Sequence, residues 1–101
     1  MDLFVVAVEA QITSIGSEVY QVQGATVYLS CGFVGSPLPH RRWYYQGKEA
    51  IWLNQPSVYG QNKLRLESVR REDSGNYTCV IDNGDIADSI EYRLHVQGGL
   101  Y

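Results

Sequence analysis

The chain has 101 residues, enough for one domain with a single core, and its composition of 45% hydrophobic and 19% charged residues is that of an ordinary globular protein, which argues against disorder. The formal net charge is −3, and the basic residues are scattered apart from Arg41-Arg42 and Arg70-Arg71. No basic stripe is available to follow a phosphate backbone, so nucleic acid is a poor candidate partner.

The predicted elements are strands throughout. Period-two alternation recurs along the chain, and no stretch sustains a helical period over two turns. Residues 3–8 and 18–22 read as two halves of a split first strand. The apolar run at 3–8 is too short for a signal-peptide core and is followed at once by Glu9; no run approaches the roughly eighteen residues of a membrane helix. Gly24 punctuates the turn before the clearest alternation, in which Val27, Leu29, Cys31 and Phe33 share one face and Thr26, Tyr28, Ser30 and Gly32 the other. Residues 35–39 are expected to be a connecting loop, because Pro37 and Pro39 lack ladder donors.

The next strand places Trp43 inward and Tyr44 outward and ends at Gly47. Residues 50–53 read as a short edge strand broken by Asn54-Gln55-Pro56-Ser57. Residues 63–69 alternate again, burying Leu64, Leu66 and Val69. A strand over about 76–82 buries Tyr77, Cys79 and Ile81. Asn83-Gly84 then predicts a two-residue type I′ hairpin, since both central positions of that turn need positive φ. The last strand runs to about 96 with Tyr92, Leu94 and Val96 inward. The chain is expected to be one domain, 1–101 with its core at about 8–97, excised from a longer protein, with residues 98–101 as a frayed end.

Cys31 and Cys79 are an even pair. They can join as a disulfide, which implies a secreted or cell-surface origin, or stand as two reduced thiols packed as small hydrophobes.

The patterns Gly35-x-Pro37-x-Pro39-x-x-x-Trp43-x-x-x-Gly47 and Leu64-x-Leu66-x-x-Val69-x-x-x-Asp73-x-Gly75-x-Tyr77-x-Cys79, with Cys31 twelve positions before Trp43, resemble the I-set of the immunoglobulin superfamily over residues 24–96. Only 21 positions separate Trp43 from Leu64, too few for the two extra edge strands of a variable-type domain. Asn76-Tyr77-Thr78-Cys79 followed by Asp88-Ser89-Ile90-Glu91-Tyr92-x-Leu94-x-Val96-Gln97 is similar to domains near the fibronectin repeats of the Down syndrome cell adhesion molecule family.

The resemblance implies an all-β, two-sheet Greek-key sandwich with a Cys31–Cys79 disulfide between the sheets and Trp43 packed beside it. Leu64, Asp73, Gly75 and Tyr77 complete the core signature, the Tyr77 hydroxyl reaching back to a backbone carbonyl before its strand. Two departures stand out. Arg41 occupies a position where an aliphatic residue usually faces the core, so either its stem packs while the guanidinium reaches outward, or the strand starts irregularly after Pro39. The glycine of the last hairpin also comes early.

The function implied is non-enzymatic: an extracellular recognition or spacer module of a multidomain, membrane-anchored cell-adhesion protein, of the neural type. It would use no cofactor and no metal, and would meet a protein partner, homophilic or heterophilic, as well as neighbouring domains of its own chain. The alternatives are a ligand-binding ectodomain module of a signalling receptor, or an intracellular filament domain, for muscle cytoskeletal immunoglobulin domains tolerate reduced thiols.

Candidate sites follow from the alternation. His40 and His95 have no serine or cysteine placed to pair with them, so nucleophilic catalysis is not expected. Asp82, Asp85 and Asp88 crowd one hairpin, but their spacing fits no calcium loop. Asn76-Tyr77-Thr78 is an N-glycosylation sequon with Asn76 outward. Tyr20, Tyr28, Tyr44, Tyr59 and Trp52 lean outward or lie on loops. Arg42, Tyr44, Val80 and Arg93 share one face and form the candidate partner-binding surface, because exposed tyrosine and arginine are what protein interfaces enrich.

Overall fold

The computed structural model describes residues 8–50 and 63–98. Nine strands lie among them: β1 (Val8–Ile12), β2 (Glu18–Val22), β3 (Val27–Ser30), β4 (Phe33–Ser36), β5 (His40–Tyr45), β6 (Lys48–Glu49), β7 (Lys63–Leu66), β8 (Gly75–Asp82) and β9 (Ala87–Gln97). A 3-10 turn, Arg71–Asp73, precedes β8. Five strands form one layer in the order β2-β9-β8-β5-β6, and the antiparallel pairs β1–β4 and β3–β7 face it. The neighbours β2–β9 and β3–β7 are far apart in sequence, so the chain crosses repeatedly between layers. This is an immunoglobulin-like sandwich.

The core is what the alternation demands. Val27, Leu29, Leu64 and Leu66 point inward from the β3–β7 pair, and Trp43, Tyr77, Cys79, Ile81, Tyr92, Leu94 and Val96 from the five-stranded layer; all are buried. Cys31 and Cys79 are bonded across the layers with Cα atoms 6.5 Å apart. Trp43 stands directly opposite Cys79 in the β5–β8 register, so its indole lies on the same inward face as the disulfide. The Tyr77 hydroxyl donates to the Asp73 carbonyl at 2.6 Å, and the Asp73 carboxylate accepts the Arg70 N–H at 2.7 Å. One aspartate therefore ties both the start of the 3-10 turn and the tyrosine that follows it.

The structure revises several boundaries. The first strand half is β1 at Val8–Ile12, whereas residues 3–7 lie outside the described residues. The expected strand at 27–33 breaks at Cys31-Gly32 and resumes as β4, where Phe33 is only half-buried. Gly35 belongs to β4 and not to a loop: β4 pairs with β1, and irregular structure begins only at Pro37. The edge strand expected at 50–53 lies outside the described residues apart from Ala50; the described edge strand is β6.

The type I′ geometry predicted at Asn83-Gly84 is not there. Gly84 has φ of 102°, but Asn83 is not at positive φ, and the last cross-strand pair is Asp82 with Ala87. The Asn83 side chain explains this, since its Oδ1 accepts the N–H groups of Asp85 (3.3 Å) and Ile86 (3.2 Å) and builds a four-residue loop over 83–86. The turn with two positive φ values is Gln46-Gly47, at 53° and 81°, between β5 and β6. Gln46 tolerates that conformation because it is anchored twice to Asn76: its N–H donates to the Asn76 carbonyl at 2.9 Å, and its Oε1 accepts the Asn76 N–H at 2.7 Å.

Candidate protein-binding face

The outward face of the five-stranded layer is built by the residues that alternate with the core. His40, Arg42 and Tyr44 project from β5, Asn76, Thr78, Val80 and Asp82 from β8, and Ser89, Glu91, Arg93 and His95 from β9. Arg42 stands opposite Val80, and Tyr44 opposite Thr78. These strands enclose a cleft of about 310 Å³ lined by His40, Arg42, Tyr44, Val80, Asp82 and Gly84. It joins a guanidinium, an imidazole and a phenol to a small apolar floor, with a carboxylate on the opposite rim. Arg42 has Glu49 4.0 Å away, but at that distance and with 61% of its side chain exposed the pair holds the guanidinium weakly. The guanidinium therefore stays available to an incoming acceptor.

Three of the four residues expected to form the binding surface thus come together: Arg42, Tyr44 and Val80. Arg93 is on the same face but lies at its other end, opposite Asn76, where its Nε donates to the Asn76 Oδ1 at 3.0 Å. His40, Asp82 and Gly84 were not expected in the cleft. For His40 and Asp82 the signal was present, because the alternation that turns Tyr44 and Val80 outward turns them outward too. Tyr59 and Trp52 lie outside the described residues, and Tyr28 is exposed on the opposite layer.

Two of the three aspartates of the last hairpin do separate jobs. The Asp82 Oδ1 accepts the Gly84 N–H at 2.6 Å, while the Asp88 Oδ2 accepts the Ile12 N–H at 2.8 Å and so ties β9 to β1. Among the described residues no three metal-ligating side chains converge. Arg41 faces inward in part: its Nη1 donates to the Cys31 carbonyl at 3.4 Å and its guanidinium lies 5.8 Å from the centroid of the Phe33 ring. The aliphatic position is therefore filled by a stem and a cation–π contact.

A second cluster, not foreseen, lies on the β2 side of the same face. The His95 Nε2 is 2.8 Å from the Glu18 Oε1, and Tyr20 donates to that same oxygen at 3.3 Å. The hydrogen bond from His95, then that from Tyr20, holds the Glu18 carboxyl below the usual carboxylate range.

A family profile described as "Immunoglobulin domain" matches residues 10–83. Mouse palladin is 33% identical over 82 residues, which cover 75% of this chain and 6% of palladin. Drosophila cell adhesion molecule Dscam2 is 33% identical over 95 residues, 89% of this chain and 4% of that protein. The chain thus spans only a small part of the curated relatives it matches. Among solved structures, titin domains z1z2 in complex with telethonin superpose with a TM-score of 0.81 at 22% identity, covering 94% of this chain and 50% of that one.

Proposed function

Because the chain belongs to the immunoglobulin domain family, whose members bind or support and do not catalyse, we propose that it is a protein-recognition module of a multidomain cell-adhesion protein, exposed at the cell surface. The cleft bounded by Arg42, Tyr44, Val80 and Asp82 carries this reading. It brings both charge signs, an aromatic ring and an apolar floor within one small surface, the mixture on which protein interfaces concentrate their binding energy. The likeness to Dscam2, named a cell adhesion molecule, supports adhesion as the setting. The disulfide supports an oxidising compartment.

Asn76 completes the proposal as a glycan acceptor. It lies beside Arg93, away from the cleft, so a glycan there would leave the cleft open.

The test is a binding survey of purified ectodomains, this one included, against the wild-type domain and Tyr44→Ala. Tyr44 points outward and is half-buried, so its loss is expected to change folding stability by less than about 1 kcal/mol while weakening capture by the partner. A partner bound equally well by Tyr44→Ala and Arg42→Ala would rule out the cleft. Free thiols on the protein isolated from its native source would rule out the cell-surface setting, and an unchanged gel mobility after glycosidase treatment of that material would rule out the glycan.

A further inference from the structure

The two edges of the five-stranded layer are not alike. At one, β6 is two residues long, Lys48 and Glu49, both charged and exposed, which is how proteins blunt a sheet edge against pairing. At the other, β2 is five residues long, Glu-Val-Tyr-Gln-Val, with no proline, no lysine and no irregularity in its register with β9. Its pairing reveals which backbone groups are left over. The Ser17 carbonyl accepts the Arg93 N–H at 3.0 Å, and the Gln23 N–H donates to the Gln97 carbonyl at 2.8 Å. In a parallel ladder alternate residues bond the neighbour, so Val19 and Gln21 also turn toward β9. Glu18, Tyr20 and Val22 turn their N–H groups to the open side, together with the carbonyls of Glu18 and Tyr20. Among the described residues no strand pairs there.

Two of the three exposed side chains of this edge are aromatic or apolar where a solvated edge is usually charged: Tyr20 is 61% exposed and Val22 59%. We propose that β2 is a homotypic pairing edge, joining a second copy of this chain antiparallel about a two-fold axis at Tyr20. A second copy is the occupant because the open groups of β2 are self-complementary about Tyr20, and charge sets the orientation. A two-fold axis at Tyr20 sets Glu18, the one charged residue of β2, opposite Val22, and Val19 opposite Gln21. Pairing in parallel register would set Glu18 against Glu18, which costs free energy. In the antiparallel arrangement each Tyr20 N–H donates to the other copy's Tyr20 carbonyl, and each Val22 N–H to the other's Glu18 carbonyl. The two five-stranded layers then form one continuous sheet with both clefts on the outside. The interface is isologous, so it closes at the dimer and does not propagate. It is independent of the cleft.

Sedimentation equilibrium over a concentration series is expected to show a reversible monomer–dimer exchange. Tyr20→Lys and Val22→Pro, each with an unchanged far-ultraviolet spectrum, should weaken it by about tenfold or more, and Tyr28→Ala, exposed on the opposite layer, should leave it unaltered. As a positive readout, Tyr20→Cys should form an intermolecular disulfide under mild oxidation faster than Ser89→Cys, which is exposed on the same face but away from the edge. A chain that stays monomeric at every concentration, with the two cysteine variants cross-linking at equal rates, overturns the proposal. So does a dimer that Tyr44→Ala dissolves and Tyr20→Lys does not, which would assign self-association to the cleft.

Discussion

The Tyr20 ring lies stacked on the His95 imidazole, with centroids 4.5 Å apart and planes 10° from parallel. Both side chains reach the same oxygen of Glu18, so the edge strand β2 is fastened to β9 by side chains as well as by its backbone. The Glu18 carboxyl titrates below its ordinary value of 4.5 in the folded protein. A depressed carboxylate stabilises the fold above its unfolded pKa, and that contribution is lost as pH falls through the folded value. Stability is therefore expected to fall on the acid side of pH 4.5, with a shallower slope in Glu18→Gln, as measured by urea melts at successive pH values. Equal slopes would mean that this exposed cluster adds nothing to the fold.

Tyr77 predicts the opposite limb. Burial first, then the charges of Tyr45 and Asp73, push its phenol well above the ordinary 10.0. The unfolded chain loses this proton at a lower pH than the folded one, so the stabilisation is full below 10.0 and declines as pH rises beyond it. Tyr77→Phe should flatten that decline in part, because Tyr45 and Tyr92 are also raised. At neutral pH the same variant loses the bond to the Asp73 carbonyl and should cost about 1–2 kcal/mol in chemical denaturation.

The disulfide closes a separation of 48 residues. The chain-entropy relation gives roughly 4 kcal/mol for such a loop, so Cys31→Ala with Cys79→Ala should lower stability by about that much while leaving a strand-rich spectrum at low temperature. A loss below about 1 kcal/mol would mean that the sandwich holds without its cross-link.

Arg41→Ala should destabilise by about 1–2 kcal/mol, since it removes the contact over Phe33, the bond to the Cys31 carbonyl and the packing of the stem. Arg41→Lys should restore only part of this, because an ammonium cannot lie flat on the ring while donating sideways. Thermal melts of the three proteins order them directly.

Much of this architecture could be read along the chain because its causes are local. The alternation in Val27-Tyr28-Leu29 and Tyr77-Thr78-Cys79 dictates which side chains are buried, and those residues are buried as expected. The register that turned Trp43 inward also turned Arg42 and Tyr44 toward the cleft. The misplaced turn marks the limit of such reading. Asn83-Gly84 has the composition of a tight hairpin, but the Asn83 side chain captures two backbone N–H groups instead, while Gln46-Gly47 takes positive φ because Asn76, thirty positions away, holds Gln46 from across the sheet.

The amino-acid order by itself determined the all-β class, the buried face of each strand and the residues able to bridge the layers, since alternation and residue chemistry belong to the chain alone. Only the tertiary structure decided which strands became neighbours. That placed His40 and Asp82 on the cleft, moved Arg93 beside Asn76, gathered Glu18, Tyr20 and His95, and left β2 at the edge of its layer among the described residues. The physical reason is that lateral strand order is set by how two apolar layers close over one another, a global condition that no short stretch of sequence encodes.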